Sequence, residues 1–87
     1  MKLNRKYTTV KNMEEYKKAK LILGYYSITD HPNLPCNEQK ALSFFLQNKD
    51  MIYIFINIQG ELGCISNYAS TFDRFEFISF DNLINKY

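Results

Sequence analysis

Residues 51–65, MIYIFINIQGELGCI, alternate in a way that predicts two antiparallel strands joined at Gly60. Because side chains alternate with a period of two, Ile52, Ile54 and Ile56 fall on one face and Met51, Tyr53 and Phe55 on the other. Both faces are apolar. Such a strand belongs in the middle of a sheet, with its second face against a helix, a partner or aromatic neighbours. The connection 57–61 sets Gly60 where a short hairpin loop needs a positive φ, and Leu62, Cys64 and Ile65 return as the second strand.

The flanking pattern supplies the other elements. Residues 6–10, KYTTV, are β-branched and aromatic and predict a first strand at a sheet edge. Asn12 is placed to cap a helix, with Glu15 reaching back to the cap's N–H; Tyr16, Ala19, Ile22, Leu23 and Tyr26 make its apolar stripe, and Gly24 is the expected stop. Residues 25–28 read as a short strand or an extended exit, and 29–36, with two prolines, as an irregular loop. Asn37 caps a second helix to about Asn48, with Ala41, Leu42, Phe45 and Leu46 inward and Phe44 to the side. After the polar loop 66–71, FDRFEFISF at 72–80 alternates as a closing strand, and Asp81 caps a last helix over 82–86, held by Leu83 and Ile84. The order β-α-(β)-α-β-β-β-α predicts an α+β fold in a single domain over 1–87. A small antiparallel sheet of about three to five strands is covered on one face by two helices, with a short C-terminal helix added.

Composition changes this picture in two ways. At 46% apolar, 87 residues can build a core, near the lower end of what folds without a metal or disulfides. Seven Tyr and seven Phe with no Trp mean that some rings will stay exposed, where binding surfaces use them. The polar, charged start MKLNRKYTTV has no apolar segment behind it, so the expected compartment is the cytoplasm, with Cys36 and Cys64 reduced. No run approaches the roughly 18 apolar residues of a membrane span.

The net charge of +2 is unevenly placed. Residues 1–24 hold seven Lys or Arg against Glu14 and Glu15, a net +5, whereas 25–87 carry a net −3. A basic end and a mildly acidic body give a polarised field, too weakly basic overall to make nucleic acid the first partner.

Chemistry has few candidates. His31, Cys36 and Cys64 are the soft metal ligands, short of the four donors in paired spacing that structural zinc needs, so no metal or cofactor is expected. Cys36 with His31 five residues away is a conceivable nucleophile and base, but neither the closeness of base to sulfur nor an orienting group is legible, and no catalytic residue is assigned. Cys64, alternating with Leu62, reads as a small buried hydrophobe. Lys2, Arg5, Lys6, Lys17, Lys18 and Lys20 can follow a phosphate backbone or form a solvated helix face. Tyr7, Tyr25, Tyr68 and Tyr87 can stack on bases or anchor a protein interface.

The segments YTTVKNMEEYKKAKLILGYY, YIFINIQGELG with its Asn-x-x-Gly turn, and FEFISFDNLI resemble small accessory proteins encoded by bacteriophages. The loop and second helix over 29–48 depart from the simplest version of that pattern. The resemblance implies a non-enzymatic inhibitor that binds a host defence protein in the bacterial cytoplasm, an anti-CRISPR protein acting on a Cas nuclease or its complex being one form. If such a protein competes at a basic channel, Asp30, Asp50, Glu61, Asp73, Glu76 and Asp81 are the acidic groups to suspect, with Tyr68 and Phe72 as anchors. The alternative is a small nucleic-acid-binding regulator using the basic residues above. Edge strands at 7–10 or 75–78 can also pair with a second copy.

Overall fold

A computed structural model describes residues 3–47 and 49–87, and Lys2 and Asn48 therefore lie outside the described residues. Among these, five strands form one sheet in the order β2-β4-β3-β1-β5. They are β1 (Lys6–Val10), β2 (Thr29–Asp30), β3 (Ile52–Ile56), β4 (Glu61–Ile65) and β5 (Glu76–Phe77). The helices are α1 (Met13–Tyr26), α2 (Glu38–Leu46) and α3 (Phe80–Lys86). The α+β class and the order of elements are as the sequence predicts, but the second strand falls at Thr29–Asp30, inside the expected loop, and not at 25–28.

The sheet is mixed and not purely antiparallel. β3 pairs antiparallel with β1 and β4, but β5 runs parallel to β1 and β2 parallel to β4. Both parallel strands are two residues long, too short for alternation to mark a strand, and the crossover that delivers each one sets its direction. Their shortness blunts the sheet edges. β1, expected at an edge, lies inside the sheet between β3 and β5.

One sheet face holds the main core. Val10, Ile52, Ile54, Ile56, Leu62 and Cys64 meet Tyr16, Ala19 and Leu23 of α1, Ala41 of α2 and Leu83 of α3 in one buried cluster. The register that aligns them pairs Val10 with Ile52, Ile54 with Cys64 and Ile56 with Leu62. Each fully buried aliphatic side chain stabilises the fold by roughly 1.5–3 kcal/mol.

Helix boundaries differ where tertiary hydrogen bonds decide them. The Glu15 N–H donates to Asn12 Oδ1 at 2.9 Å, as a cap should, but the Glu15 carboxylate accepts from Lys11 N–H and not from the cap's own. α1 runs through Gly24 to Tyr26. Ser27 ends it, its Oγ donating to Gly24 O, after which Ile28 N–H donates to Gly60 O and the chain is drawn into the sheet. In α2, capped by Asn37, Ala41 is buried and Phe44 and Phe45 pack on the core, while Leu42 and Leu46 face outward. At about 100° per residue both stripes are geometrically available, and the larger rings take the inner one. The hairpin turns as expected: Asn57 Oδ1 accepts from the N–H of Gln59 and of Glu61, and Gly60 has φ +85.

The stretch 72–80 is not one strand. A 3-10 turn at Ser70–Arg74 precedes β5, and Ser79, not Asp81, caps α3 by accepting from Asn82 N–H at 3.2 Å. The turn exists because Phe72 folds onto the sheet, as described below.

Thr8 sits 1% exposed on the helix-covered face opposite Ile54, and its hydroxyl has no hydrogen-bond partner among the described residues. Thr8→Val removes an unpaired buried hydroxyl and leaves the shape almost unchanged. It is expected to raise the unfolding free energy by about 1 kcal/mol in urea denaturation. An unchanged or lower midpoint counts against this account of the position.

Candidate interaction surface

The face of the sheet opposite the helices is built from aromatic rings. Alternation puts Tyr7 of β1, Tyr53 and Phe55 of β3 and Phe77 of β5 there together, with Tyr7 beside Phe55 and Phe77 in the register. No α-helix covers this face among the described residues. The segment 68–75 does so instead, by turning Phe72 inward.

Phe72 is 3% exposed and stacks on Tyr7 with ring centroids 4.6 Å apart and planes 9° from parallel. It also meets Tyr53 at 5.6 Å, Phe55 at 5.4 Å, Tyr68 at 5.6 Å and Phe75 at 5.7 Å. Each such pair contributes about 0.5–1.5 kcal/mol beyond area burial. Phe72, expected as an exposed anchor, is therefore the hub that holds this layer. The exposed rings are Tyr68, at 50%, and Phe77, at 49%.

Two local features fix the layer. Gly63 faces Phe55 across the β3–β4 ladder, and a Cβ on Gly63 would lie 2.3 Å from Phe55 Cζ, so the ring occupies the space a side chain would fill. The Tyr68 hydroxyl donates to Asp73 Oδ1 at 2.5 Å and closes the loop around Phe72. That hydrogen bond, and after it desolvation and the carboxylate's repulsion of a phenolate, raises the Tyr68 pKa from the ordinary 10.0 to about 12. Lys6 and Glu76 form an ion pair at the β1–β5 rim.

Toward the other edge a cavity of about 280 Å³ opens beside this layer, lined by His31, Ile65, Phe55, Phe72 and Phe75 among others. The His31 ring meets Phe55 edge-on at 5.9 Å. Its Nδ1 accepts from the N–H of Asn33 and of Leu34, which leaves Nε2 as the nitrogen bearing the proton in the neutral ring.

The expected chemical groups are separated. Cys36 is buried in the helix-side core with Cys64, whereas His31 contacts Phe55 on the aromatic face, so the sheet lies between the proposed nucleophile and base. The hydrogen bond to Cys64, and then burial, push the Cys36 thiol far up, and the same bond lowers Cys64. A thiol so protonated is the opposite of an activated nucleophile. Among the described residues no three His, Cys, Asp or Glu side chains gather as metal ligands, and no helix is long and apolar enough to cross a membrane.

The charged candidates divide likewise. Asp30 and Glu61 lie on β2 and β4, while Glu76 lies on β5 at the far side and Asp73 in the 3-10 turn before it. Four strand spacings separate the outer strands, about 19 Å. Asp50 precedes β3, Asp81 lies in the first turn of α3, and the six acids do not form one patch. Of the basic set, Lys6 pairs with Glu76, Lys17 with Glu38 at 3.3 Å and Lys18 with Glu14 at 3.3 Å. Arg5 adopts φ +61 at the entry to β1, and Lys20 lies on α1. Phe77 and Tyr53 were not singled out from the sequence; the signal for Tyr53 was the apolar second face of β3.

The chain matches no protein-family description, no curated protein and no solved structure.

Gly63→Ala is expected to displace the Phe55 ring and lower stability by about 1–3 kcal/mol, read by urea denaturation with loss of near-ultraviolet circular dichroism. Retained stability and an unchanged aromatic signal would contradict the packing of Phe55 on Gly63. The raised Tyr68 pKa means that this phenol favours the folded state below pH 10 and that the contribution disappears as pH rises through about 12. In Asp73→Asn the Tyr68 pKa should fall back toward 10.0, followed by absorbance or NMR titration; a pKa still near 12 would assign the shift to another cause.

Proposed function

We propose that this chain is a non-catalytic protein-binding module that docks through its aromatic sheet face. The observation that carries the reading is the pair of half-exposed rings, Tyr68 and Phe77, at the margin of a layer of packed rings with no α-helix over it. Pre-ordered aromatic side chains lose little entropy on binding and are the residues most often found as interface anchors. The resemblance to phage accessory proteins supports a bacterial defence protein as partner, a Cas nuclease or complex being the form proposed, blocked at its nucleic-acid entry or in a conformational step. The acidic residues nearest the rings, Asp73 and Glu76, serve this reading as rim groups beside them.

The nucleic-acid regulator draws less support. Lys6, Lys17 and Lys18 are each engaged by a carboxylate, so phosphate contacts there would have to displace an ion pair.

A pull-down from phage-infected bacterial lysate, with tagged wild-type chain beside the Tyr68→Ala/Phe77→Ala variant, tests the proposal. The expected result is a stoichiometric protein partner retained by the wild type and weakened at least tenfold by the variant, as loss of two anchor rings implies. Equal recovery by both, or recovery of nuclease-sensitive nucleic acid with no protein, would overturn it.

A further inference from the structure

Cys36 and Cys64 take no part in the aromatic face, yet the fold brings them together from distant parts of the chain. Cys36 ends the irregular segment before α2, and Cys64 lies in β4. An isolated antiparallel bridge pairs Pro35 with Gly63, and the Cys64 N–H donates to Leu34 O at 3.0 Å. The two cysteines therefore stand diagonally across one bridge. Both turn to the helix-covered side, where they are 3% and 0% exposed in the same buried cluster. Neighbours along such a diagonal share one face of the ladder, and here the sulfurs meet, the Cys36 S–H donating to Cys64.

The surroundings favour charge on Cys64. The bond from Cys36 holds its thiol below the usual range against the opposing effect of burial, and Lys40 and Lys20 add to the lowering. Lys40 is placed for this by its Nζ, which donates to Pro35 O at 3.5 Å, one residue from Cys36. Tyr16, 1% exposed in the same cluster, has a hydroxyl with no hydrogen-bond partner among the described residues. Burial, and then the two thiols, push its phenol up. A buried O–H without an acceptor gains one when a neighbouring sulfur carries charge or oxygen.

We propose that Cys36 and Cys64 form an oxidisable dithiol, in which hydrogen peroxide converts Cys64 to a sulfenic acid and Cys36 resolves it to an intramolecular disulfide. In the first step the Cys64 sulfur attacks one peroxide oxygen. The S–O bond forms, the O–O bond breaks, and the leaving hydroxide takes up the Cys64 proton as water. In the second the Cys36 sulfur attacks the Cys64 sulfur. The S–S bond forms, the S–O bond breaks, and the hydroxide leaves with the Cys36 proton as a second water. The two sulfurs lose two electrons and the peroxide oxygens gain them. Local opening of 31–37, which carries no helix and only the two-residue β2 margin, admits so small an oxidant. The product ties that segment to β4 and encloses α2 and β3 in a covalent loop.

Reduced chain is treated with hydrogen peroxide, quenched with catalase, unfolded, alkylated and mapped by mass spectrometry. The expected product is a monomer on a non-reducing gel, with the Cys36 and Cys64 peptides joined, two hydrogens lighter than the reduced pair, and neither thiol alkylated. Met51, 37% exposed, gauges the dose, since its sulfoxide shows that oxidant was sufficient. The oxidised chain should melt higher by about 5 °C or more, because the bond closes the stretch from 36 to 64, and dithiothreitol should reverse both changes. In Cys36→Ala the same treatment should leave oxygen on Cys64 and no cross-link. The inference is overturned by two alkylatable thiols after Met51 has become the sulfoxide, by oxygen-bearing cysteines in the wild type in place of a bridge, or by a disulfide between two chains. An unchanged or lower melting temperature overturns it as well, as does an unmodified Cys64 in folded Cys36→Ala. The wild-type measurements decide by themselves if that variant does not fold.

Discussion

β3 is apolar on both faces, and burying both is the constraint from which the rest of the structure follows. Ile52, Ile54 and Ile56 require one cover and Tyr53 and Phe55 another. Three helices supply the first. The second is a single inserted ring, Phe72, stacked on Tyr7 and surrounded by the aromatic side chains of neighbouring strands. Turning Phe72 inward bends residues 70–74 into a 3-10 turn and leaves only two residues of β5 to pair with β1. The loss of the long closing strand and the existence of the aromatic layer are thus one event.

This two-sided arrangement also governs what chemistry the chain can assemble. The thiols sit with the helices and the imidazole with the rings, so residues five apart in sequence are held on opposite sides of the sheet. The carboxylates are spread over both edges and two ends. What remains concentrated is apolar and aromatic surface, and it lies in two places. Tyr68 and Phe77 project from the packed ring layer, and Leu21 and Tyr25 project from a helix edged with lysine. Concentrated exposed rings with dispersed charge are the features of a docking protein, which is the ground for the proposal made above.

Much of the scaffold was legible in the residues. Alternation in 51–65 identified the central hairpin, Gly60 its positive-φ position, and Asn12 and Asn37 the starts of the two longer helices, because period, capping oxygens and a missing Cβ act within a few residues of one another. The candidate surface was only partly legible. The apolar second face of β3 announced that something must cover it, and Tyr68 and the groups beside it were singled out. That Phe72 would become the hub, leaving Phe77 exposed, was not readable, since alternation in FDRFEFISF is equally served by a strand.

The sequence by itself determined the element order, the two-faced central strand, the caps that start α1 and α2 and the hairpin turn, since these rest on interactions between near neighbours. The tertiary structure alone decided the parallel edge strands, the outward turn of Leu42 and Leu46, the end of α1 at Ser27 and the separation of His31 from Cys36. The parallel edge strands and the end of α1 depend on contacts between residues far apart in the chain: Ile28 with Gly60, Phe72 with Tyr7. Local pattern fixes which side chains are apolar, but only the assembled sheet fixes which of them find each other and which are left facing outward.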